Sequence, residues 1–281
     1  MRQVARKTVL AGVLLTLVGC SSTTFFYNRL NLIVPWYVGK YVDLTRDQKK
    51  FLDQQLEPFL YWHRSEELPL YLDILAEIEQ ALDGQVDGEQ VAAIAGSFEE
   101  AWLRVEMRGL DWMLALGEQL SREQMEDFLA TLREKQVEYE EEYLPRSEEE
   151  YREDAYENLE DGSQDFLGRL DWGQRSILED AAQQLQRSDA IWLQERAKWI
   201  DRMEDILQRE EGWQQAMRDA LAHREETTSQ EYLAVYEHNS QTIYAALAKL
   251  VNSRSEKQDK RLRKRLDDLR EDIESLIAKG G

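Results

Sequence analysis

Apolar side chains recur at intervals of three and four residues along almost the whole chain after Thr45, which is the period of an amphipathic helix. The clearest run lies near the carboxyl end and consists of Leu262, Leu266, Leu269, Ile273 and Leu276. Such a seam needs a partner helix, either from the same chain or from a second copy. Only four prolines and 14 glycines interrupt the pattern. We therefore predict an all-α protein, either an elongated helical bundle or a chain of antiparallel helical hairpins.

Helix starts are marked by a motif in which a capping side chain is followed three residues later by glutamine. The copies are Thr45–Gln48, Ser121–Gln124, Asp171–Gln174 and Ser255–Gln258. In such a capping box the two side chains satisfy each other's backbone N–H groups. The copies are irregularly spaced, which argues against a repeat protein. We predict an all-helical domain over residues 45–281, with a division into two halves near residues 163–171 as an alternative.

The first residues carry a targeting pattern. Basic side chains precede an apolar run over residues 9–18, which is about half the length needed to cross a bilayer. The run ends in Leu17, Val18, Gly19 and Cys20. These four residues resemble the lipobox of bacterial lipoproteins. The resemblance implies a signal peptide over residues 1–19, cleavage after Gly19, and diacylglyceryl and N-acyl groups on Cys20.

Cysteine usage agrees with lipidation, because Cys20 is the only cysteine in the chain. In an oxidising compartment a lone thiol would lack a partner, whereas lipidation removes the thiol. Two acyl chains suffice for a stable anchor. The alternative is an ordinary buried cysteine. Ser21 follows the cysteine, which resembles the sorting signal for the outer membrane, so we expect a lipoprotein that faces the periplasm from that membrane.

Residues 20–44 are expected to join the lipid to the helical domain. A polar tether over residues 21–24 precedes an aromatic-rich stretch over residues 25–37. Such a tether reaches at most about 14 Å, so the aromatic stretch would lie close to the lipid headgroups, where aromatic side chains are favoured. We favour the alternative, in which the stretch forms a short helix and strand that pack on the core of the bundle.

The charge of the chain limits its partners. It contains 56 acidic and 35 basic residues, and its formal net charge is −21. Removal of residues 1–19, with their three basic and no acidic residues, lowers this charge to −24. Such a surface repels phosphate backbones and anionic headgroups, so we expect no nucleic-acid partner and assign anchoring to the lipid. Residues 254–265 form a strongly basic segment, which we expect to complement the acidic bundle; an anionic envelope polymer is the alternative ligand.

No catalytic constellation emerges from the sequence. The three histidines lack the spacing of di-iron or zinc-protease motifs, and Cys20 is committed to lipid. Residues 138–161 are densely acidic, but they lack the spacing of a calcium loop and are expected to form a solvated helix pair around Pro145. We therefore predict a protein that is not an enzyme and has no cofactor or metal beyond its covalent lipid. A glycan hydrolase that uses an unidentified carboxylate pair is an alternative.

Several short motifs cluster over residues 20–75. They are Phe26-Tyr27-Asn28-Arg29-Leu30, Pro35-Trp36-Tyr37, Tyr41-Val42-Asp43-Leu44-Thr45, Trp62-His63-Arg64, and Glu67-Leu68-Pro69 with Tyr71. Together they resemble an uncharacterised family of proteobacterial lipoproteins that is described only as a domain of unknown function. The resemblance implies a location in the cell envelope and supplies no activity.

The same region supplies the candidate partner-binding residues. Trp62, His63 and Arg64 lie near the predicted end of the first long helix and could face a ligand groove. Alternatively, Trp62 and His63 pack under a turn that leads to Pro69, and Arg64 complements the helix C-terminus. The full candidate set is Tyr27, Arg29, Trp36, Tyr37, Trp62, His63 and Arg64.

Residues 44–48 and 120–124 read Leu-Thr-Arg-Asp-Gln and Leu-Ser-Arg-Glu-Gln. They are similar to the Leu-Thr-x-x-Gln hallmark of periplasmic helical chaperones, which implies ATP-independent binding of unfolded clients. This chain is longer, strongly acidic and lipidated, and a capping box alone explains the motif. We therefore expect a non-enzymatic binding or scaffolding module of the envelope with a protein partner; a chaperone is the alternative.

Overall fold

The computed structural model describes the backbone of residues 20–279 and the side chains of residues 24–279. The predicted signal peptide, with Leu17, Val18 and Gly19, lies outside these residues, as does the Cys20 side chain. The described chain consists of helices and short connections without a strand, so the predicted all-α bundle is confirmed. The helices are α1 (Cys20–Tyr27), α2 (Leu30–Val38), α3 (Arg46–Trp62), a π-helical turn (His63–Glu67), α4 (Leu68–Leu82), α5 (Gly88–Gln119), α6 (Arg122–Tyr143), α7 (Glu148–Leu167), α8 (Trp172–Gln184), α9 (Asp189–Ile206), α10 (Trp213–Ala222), α11 (Arg224–Thr227), α12 (Gln230–Asn252) and α13 (Glu256–Ala278).

All four predicted capping boxes form, at the starts of α3, α6, α8 and α13. At the first, the Gln48 N–H lies 3.3 Å from Thr45 Oγ1, and the Thr45 N–H donates to Gln48 Oε1 at 2.8 Å. Two further boxes, Asp87–Gln90 and Ser147–Glu150, start α5 and α7 and were missed in the sequence. Both obey the same rule, a capping residue three positions before glutamine or glutamate.

The glutamines of these boxes also join helices to one another. Gln48 and Gln124 exchange side-chain hydrogen bonds of 2.8 and 2.9 Å, which tie the start of α3 to the start of α6. Gln174 and Gln258 form the same reciprocal pair between α8 and α13, at 3.0 and 2.8 Å. Each amide also donates to the backbone carbonyl two residues before its partner's cap, namely Gln119, Asp43, Ser253 and Arg169. One local motif thus fixes two pairs of helix starts.

The buried apolar side chains form separate clusters in different groups of helices. One cluster draws on α4, α7, α8, α12 and α13 and contains the fully buried Leu178 and Leu250. Another surrounds Leu52 and Leu56 of α3 and includes residues at the end of α5 and the start of α6. Helix α5 packs against both α3 and α12, so it connects the two groups. The first cluster contains side chains from both sides of residues 163–171.

The leucine seam of α13 closes within the chain. Leu262, Leu266 and Leu269 share a buried cluster with Leu75 and Leu82 of α4. Helix α13 packs against α4 and α7. The partner helices that the heptad pattern demanded are therefore intramolecular.

The segment before residue 45 forms neither the expected tether nor the expected strand, although Val34 and Val38 of α2 do pack on the core as the second expectation stated. Residues 21–24, predicted as a polar tether, belong to α1, and α2 is a helix as well, so no strand forms between residues 20 and 44. A helix advances about 1.5 Å per residue, less than half the reach of extended chain. The segment is therefore a compact helical arm, and we use "the arm" for residues 20–42.

The predicted helix end near Arg64 is also wrong. Helix α3 continues through the π-helical turn into α4, and the Leu68 N–H donates to the His63 carbonyl across the widened turn. Pro69 has no N–H, and in a regular helix its ring would collide with the carbonyl four residues earlier. The extra residue in the turn relieves this collision, so the helix continues. Turns of this kind are frequent at functional sites.

Candidate functional site

The π-helical turn directs Glu67 into the protein interior, where the side chain is 1% exposed. Its carboxylate is held by the guanidinium of Arg104 on α5, with Nη2 2.8 Å from Oε1 and Nε 3.0 Å from Oε2. A bidentate pair of this kind satisfies a buried charge with fixed geometry. The turn is thereby locked against α5.

His63 is the first residue of the π-helical turn, and its ring lies between two tyrosine side chains from other helices. Its Nδ1 is 2.9 Å from the Tyr27 hydroxyl of α1, and its Nε2 is 3.4 Å from the Tyr71 hydroxyl of α4. Burial lowers the pKa of His63 to about 4; nearby Glu67 opposes this effect, and Arg64 reinforces it. The ring is therefore neutral at pH 7, with one N–H donor and one acceptor, and each nitrogen faces a hydroxyl that can serve as its partner.

Burial also raises the pKa of Tyr27 and of Tyr71, so both phenols keep their protons. A neutral imidazole held between two protonated phenols has no free nitrogen to act as a base or metal ligand. Across residues 24–279, no group of three or more His, Cys, Asp or Glu side chains could hold a metal ion. The cluster is arranged as a joint between α1 and the body of the protein.

Arg64 strengthens this joint and does not cap a helix end as predicted. Its guanidinium lies 5.3 Å from the centre of the Tyr27 ring, and Nη2 is 3.5 Å from Asn28 Oδ1. A cation over an aromatic face is attracted by the ring. Trp62 completes the cluster, since its ring centre is 6.2 Å from that of His63.

A second contact fixes the arm at a different helix. Thr24 Oγ1 donates to Asp272 Oδ1 at 3.1 Å, and α1 packs against α13. Asp272 is 9% exposed, so the hydroxyl reaches a largely buried carboxylate. Together with the Tyr27 contact, this bond attaches α1 both to the π-helical turn near the start of the helical body and to α13 at its end.

Helix α2 presents two different faces. Val34 and Val38 pack against the buried cluster around α3. On the other face, Leu32 and Trp36 are 64% and 62% exposed. Phe26 of α1 adds a further exposed ring, at 56%. The outer face of the arm is therefore apolar and aromatic.

The cations of the arm lie on this aromatic surface. The Arg29 guanidinium stacks 3.4 Å above the centre of the Phe25 ring, and the Lys40 ammonium lies 3.8 Å from the centre of the Trp36 ring. Residues 20–42 contain these two basic residues and no acidic residue, in a chain of net charge −21. The arm is thus locally cationic on an acidic protein.

The candidate residues divide into two groups. The structure brings Tyr27, Trp62, His63 and Arg64 together at the joint. Arg29, Trp36 and Tyr37 lie apart from it on the arm, where the Tyr37 hydroxyl is 3.1 Å from that of Tyr41.

Sequence reasoning missed Arg104 and Asp272 altogether. Glu67 and Tyr71 were recognised in the sequence only as parts of a family motif, without a role in the site. Tyr71 lies two turns after His63, a spacing that could have indicated the shared face.

The fold and the site define an all-helical protein with an aromatic amino-terminal arm locked to its body. The family of unknown function DUF6279 matches residues 40–233, and the chain belongs to that family. The match covers the π-helical turn and Arg104 but not α1 or α13. No curated protein and no solved structure matched the chain. Among the described helices, none combines the length and apolarity needed to cross a bilayer.

Proposed function

We propose that this protein is a cell-envelope lipoprotein, anchored through lipid on Cys20 and facing the periplasm from the outer membrane. Its helical body acts there as a non-enzymatic binding or scaffolding module for an envelope protein. One observation carries the proposal: the chain that directly follows Cys20 is an arm with an exposed aromatic face, two cations and no acidic residue.

The arm has the chemistry of a membrane-interface segment. Aromatic rings are favoured at the headgroup level, and basic side chains beside them attract lipid phosphates. Insertion of Phe26, Leu32 and Trp36 into that interface would contribute about 1 kcal/mol for each half-exposed side chain. This is too little to hold a mature protein of net charge −24 on a membrane. The lipid supplies the anchoring energy, and the arm sets the orientation.

The joint at His63 supports the scaffolding part of the proposal. A flexible tether would let the body rotate freely, whereas the Tyr27 and Thr24 contacts hold α1 against two different helices. An orientation imposed on the arm by the membrane is thereby passed to the body. A module that presents one surface to a partner benefits from this arrangement, because fixed geometry lowers the entropic cost of binding.

The chaperone-like motif carries no second proposal. Gln48 and Gln124 use their amides for their own caps, for each other and for backbone carbonyls. The glutamines of the motif are therefore engaged in helix capping and helix pairing, as a capping box alone explains.

Membrane retention tests the proposal. The full chain is compared with Cys20→Ala carrying a cleavable, non-lipoprotein signal peptide, and membranes are washed with high salt. We expect the wild-type protein to stay with the membranes and the Cys20→Ala protein to be released as a folded helical protein. Retention of the Cys20→Ala protein after the wash would overturn lipid anchoring.

The contribution of the arm is measured in the Cys20→Ala background. Leu32→Ser with Trp36→Ser should reduce residual binding to zwitterionic vesicles by about thirtyfold, because two interfacial side chains that contribute about 1 kcal/mol each are lost. The matched control is Trp102→Ser with Leu103→Ser, which removes two exposed apolar side chains of α5. Equal vesicle binding by both double variants would contradict an arm at the interface.

A further inference from the structure

The basic segment over residues 254–265 is only partly used to complement the acidic bundle. Arg254 pairs with Asp259 at 2.7 Å, and Arg263 pairs with Asp83 at 3.0 Å. Lys264 pairs with Asp268 at 2.8 Å. Arg254 and Arg263 join the start of α13 to the end of α4 through the Leu82 carbonyl and Asp83, as the sequence analysis expected, whereas Lys264 pairs within α13.

Other cations of the same segment lack such partners. Lys257 and Arg261 are exposed and form no ion pair with any described residue. They lie one helical turn apart on one face of α13. Lys260 shares a shallow pocket with Glu256 and Asp259, so we do not count it with them.

The loop before α8 places a third cation without an ion-pair partner, and a tryptophan at its end, beside Lys257 and Arg261 of α13. Gln258 of α13 donates to the Arg169 carbonyl at 3.2 Å, and the Arg169 side chain is exposed. The Arg261 side chain lies against Gly168, where a Cβ would meet its Cδ at 3.1 Å. Trp172 follows at the start of α8 and is 83% exposed. We call Arg169, Trp172, Lys257 and Arg261 the Trp172 patch.

The chemistry of the Trp172 patch favours a protein ligand. Tryptophan and arginine are the residue types enriched at energetic centres of protein interfaces, and an indole so exposed in water gains most from being covered. Unpaired cations in a chain with 56 acidic residues are available to carboxylates from outside. The ligand must nevertheless be short, because a chain with a net charge of −21 repels a polyanion that extends beyond the patch. This requirement disfavours nucleic acid and a flat anionic membrane.

We propose that the Trp172 patch binds a short acidic segment of a partner protein, with carboxylates on Lys257 and Arg261 and an apolar side chain on the Trp172 indole. This inference deepens the proposed scaffolding function, on which it rests, by naming the chemistry of the partner. Lys257 precedes Asp272, the α13 residue that holds the arm, by four helical turns or about 20 Å. Lys257 therefore lies well away from the point at which the arm is attached to α13.

Peptide binding to the full lipidated chain in neutral detergent tests the patch. The probe is a short fluorescein-labelled peptide in which one leucine lies between two pairs of glutamates, and the two pairs are one helical turn apart. Its binding is measured by fluorescence anisotropy at low and at high salt. We expect salt-dependent binding. Trp172→Ala should weaken it about tenfold, as for the central aromatic residue of an interface. Lys257→Gln with Arg261→Gln should weaken it by a similar factor and flatten its salt dependence.

Matched controls separate the patch from general effects of charge and aromatic content. Lys49→Gln with Lys50→Gln removes the same charge from exposed positions of α3, and Trp102→Ala removes a half-exposed indole of α5. Both should bind the peptide as the wild-type protein does. A peptide with glutamines in place of the glutamates should not bind.

Several outcomes would overturn the inference. They are binding that the patch variants leave unchanged, no binding above the glutamine peptide, and tighter patch-dependent binding of an oligonucleotide, inorganic polyphosphate or anionic vesicles. Circular dichroism of each variant checks that the helices are intact. None of these results alters the salt-wash experiment on Cys20, so failure of the patch and failure of the anchor are distinguishable.

Discussion

At the scale of single residues, the joint at His63 shows what a local sequence can and cannot predict. His63, Trp62 and Arg64 stand out in the sequence as an unusual trio, and they do meet in the structure. The environment of His63 could not be predicted, because Tyr27 reaches it from 36 residues earlier and Arg104 reaches Glu67 from 37 residues later. The π-helical turn that brings them together depends on Pro69, which the sequence analysis interpreted as the exit of a turn.

The lowered pKa of His63 makes folding stability depend on pH. Since the folded protein holds this histidine with a pKa of about 4, against 6.5 ordinarily, the unfolded chain takes up the proton first as pH falls. The contribution is fully present above pH 6.5 and is lost progressively as the pH falls towards 4, by on the order of 3 kcal/mol. Urea unfolding across this pH range should show that slope.

His63→Gln isolates this effect from the many carboxylates that titrate in the same range. The variant should lose most of the decline in stability between pH 6.5 and 5, where few carboxylates change charge. His223→Gln, which alters an exposed histidine at the end of α10, is the matched control and should keep the wild-type slope. If the free energy of unfolding falls equally steeply with pH in wild type and in His63→Gln, His63 is not buried as a neutral ring.

At the scale of elements, capping boxes explain both where helices start and how they pair. The sequence predicted four boxes, and all four form, because the reciprocal bonds within a box require only residues three positions apart. The cross-pairing of Gln174 with Gln258 could not be predicted, since the two lie 84 residues apart. Each paired glutamine uses both N–H donors and both acceptor sites of its amide. This full use explains how Gln174 can be 1% exposed without an orphaned polar atom.

A double-mutant cycle on this pair tests the pairing. Gln174→Ala and Gln258→Ala should each lower the free energy of unfolding by about 2 to 3 kcal/mol, because each removes a cap bond and leaves its partner's amide buried and unsatisfied. The double variant should cost less than the sum of the two, with a coupling of about 1 to 2 kcal/mol. Urea denaturation supplies all four values.

The more exposed pair, Gln48 with Gln124, is the internal control for this cycle. Water can replace the lost partner there, so the coupling between Gln48→Ala and Gln124→Ala should be smaller. Strict additivity at Gln174 and Gln258 would contradict a cooperative pair.

At the scale of the whole molecule, a locally cationic aromatic arm is attached to an acidic helical body. Helical class and net charge could be predicted from the sequence, because they depend on periodicity and composition. The docking of the arm could not, because Thr24 and its acceptor Asp272 are 248 residues apart. The tether that a polar stretch suggested is instead the first turn of α1, and this change turns a flexible attachment into an oriented one.

The central proposal is that the arm lies in the membrane interface while the body faces water. Spin labels on Leu32→Cys and, in a second protein, on Trp172→Cys measure this directly in lipidated protein reconstituted into vesicles. The account predicts that the label at position 32 is accessible to membrane-dissolved oxygen and shielded from a water-soluble nickel chelate, with the reverse at position 172. Equal accessibility of both labels to the nickel chelate would contradict it.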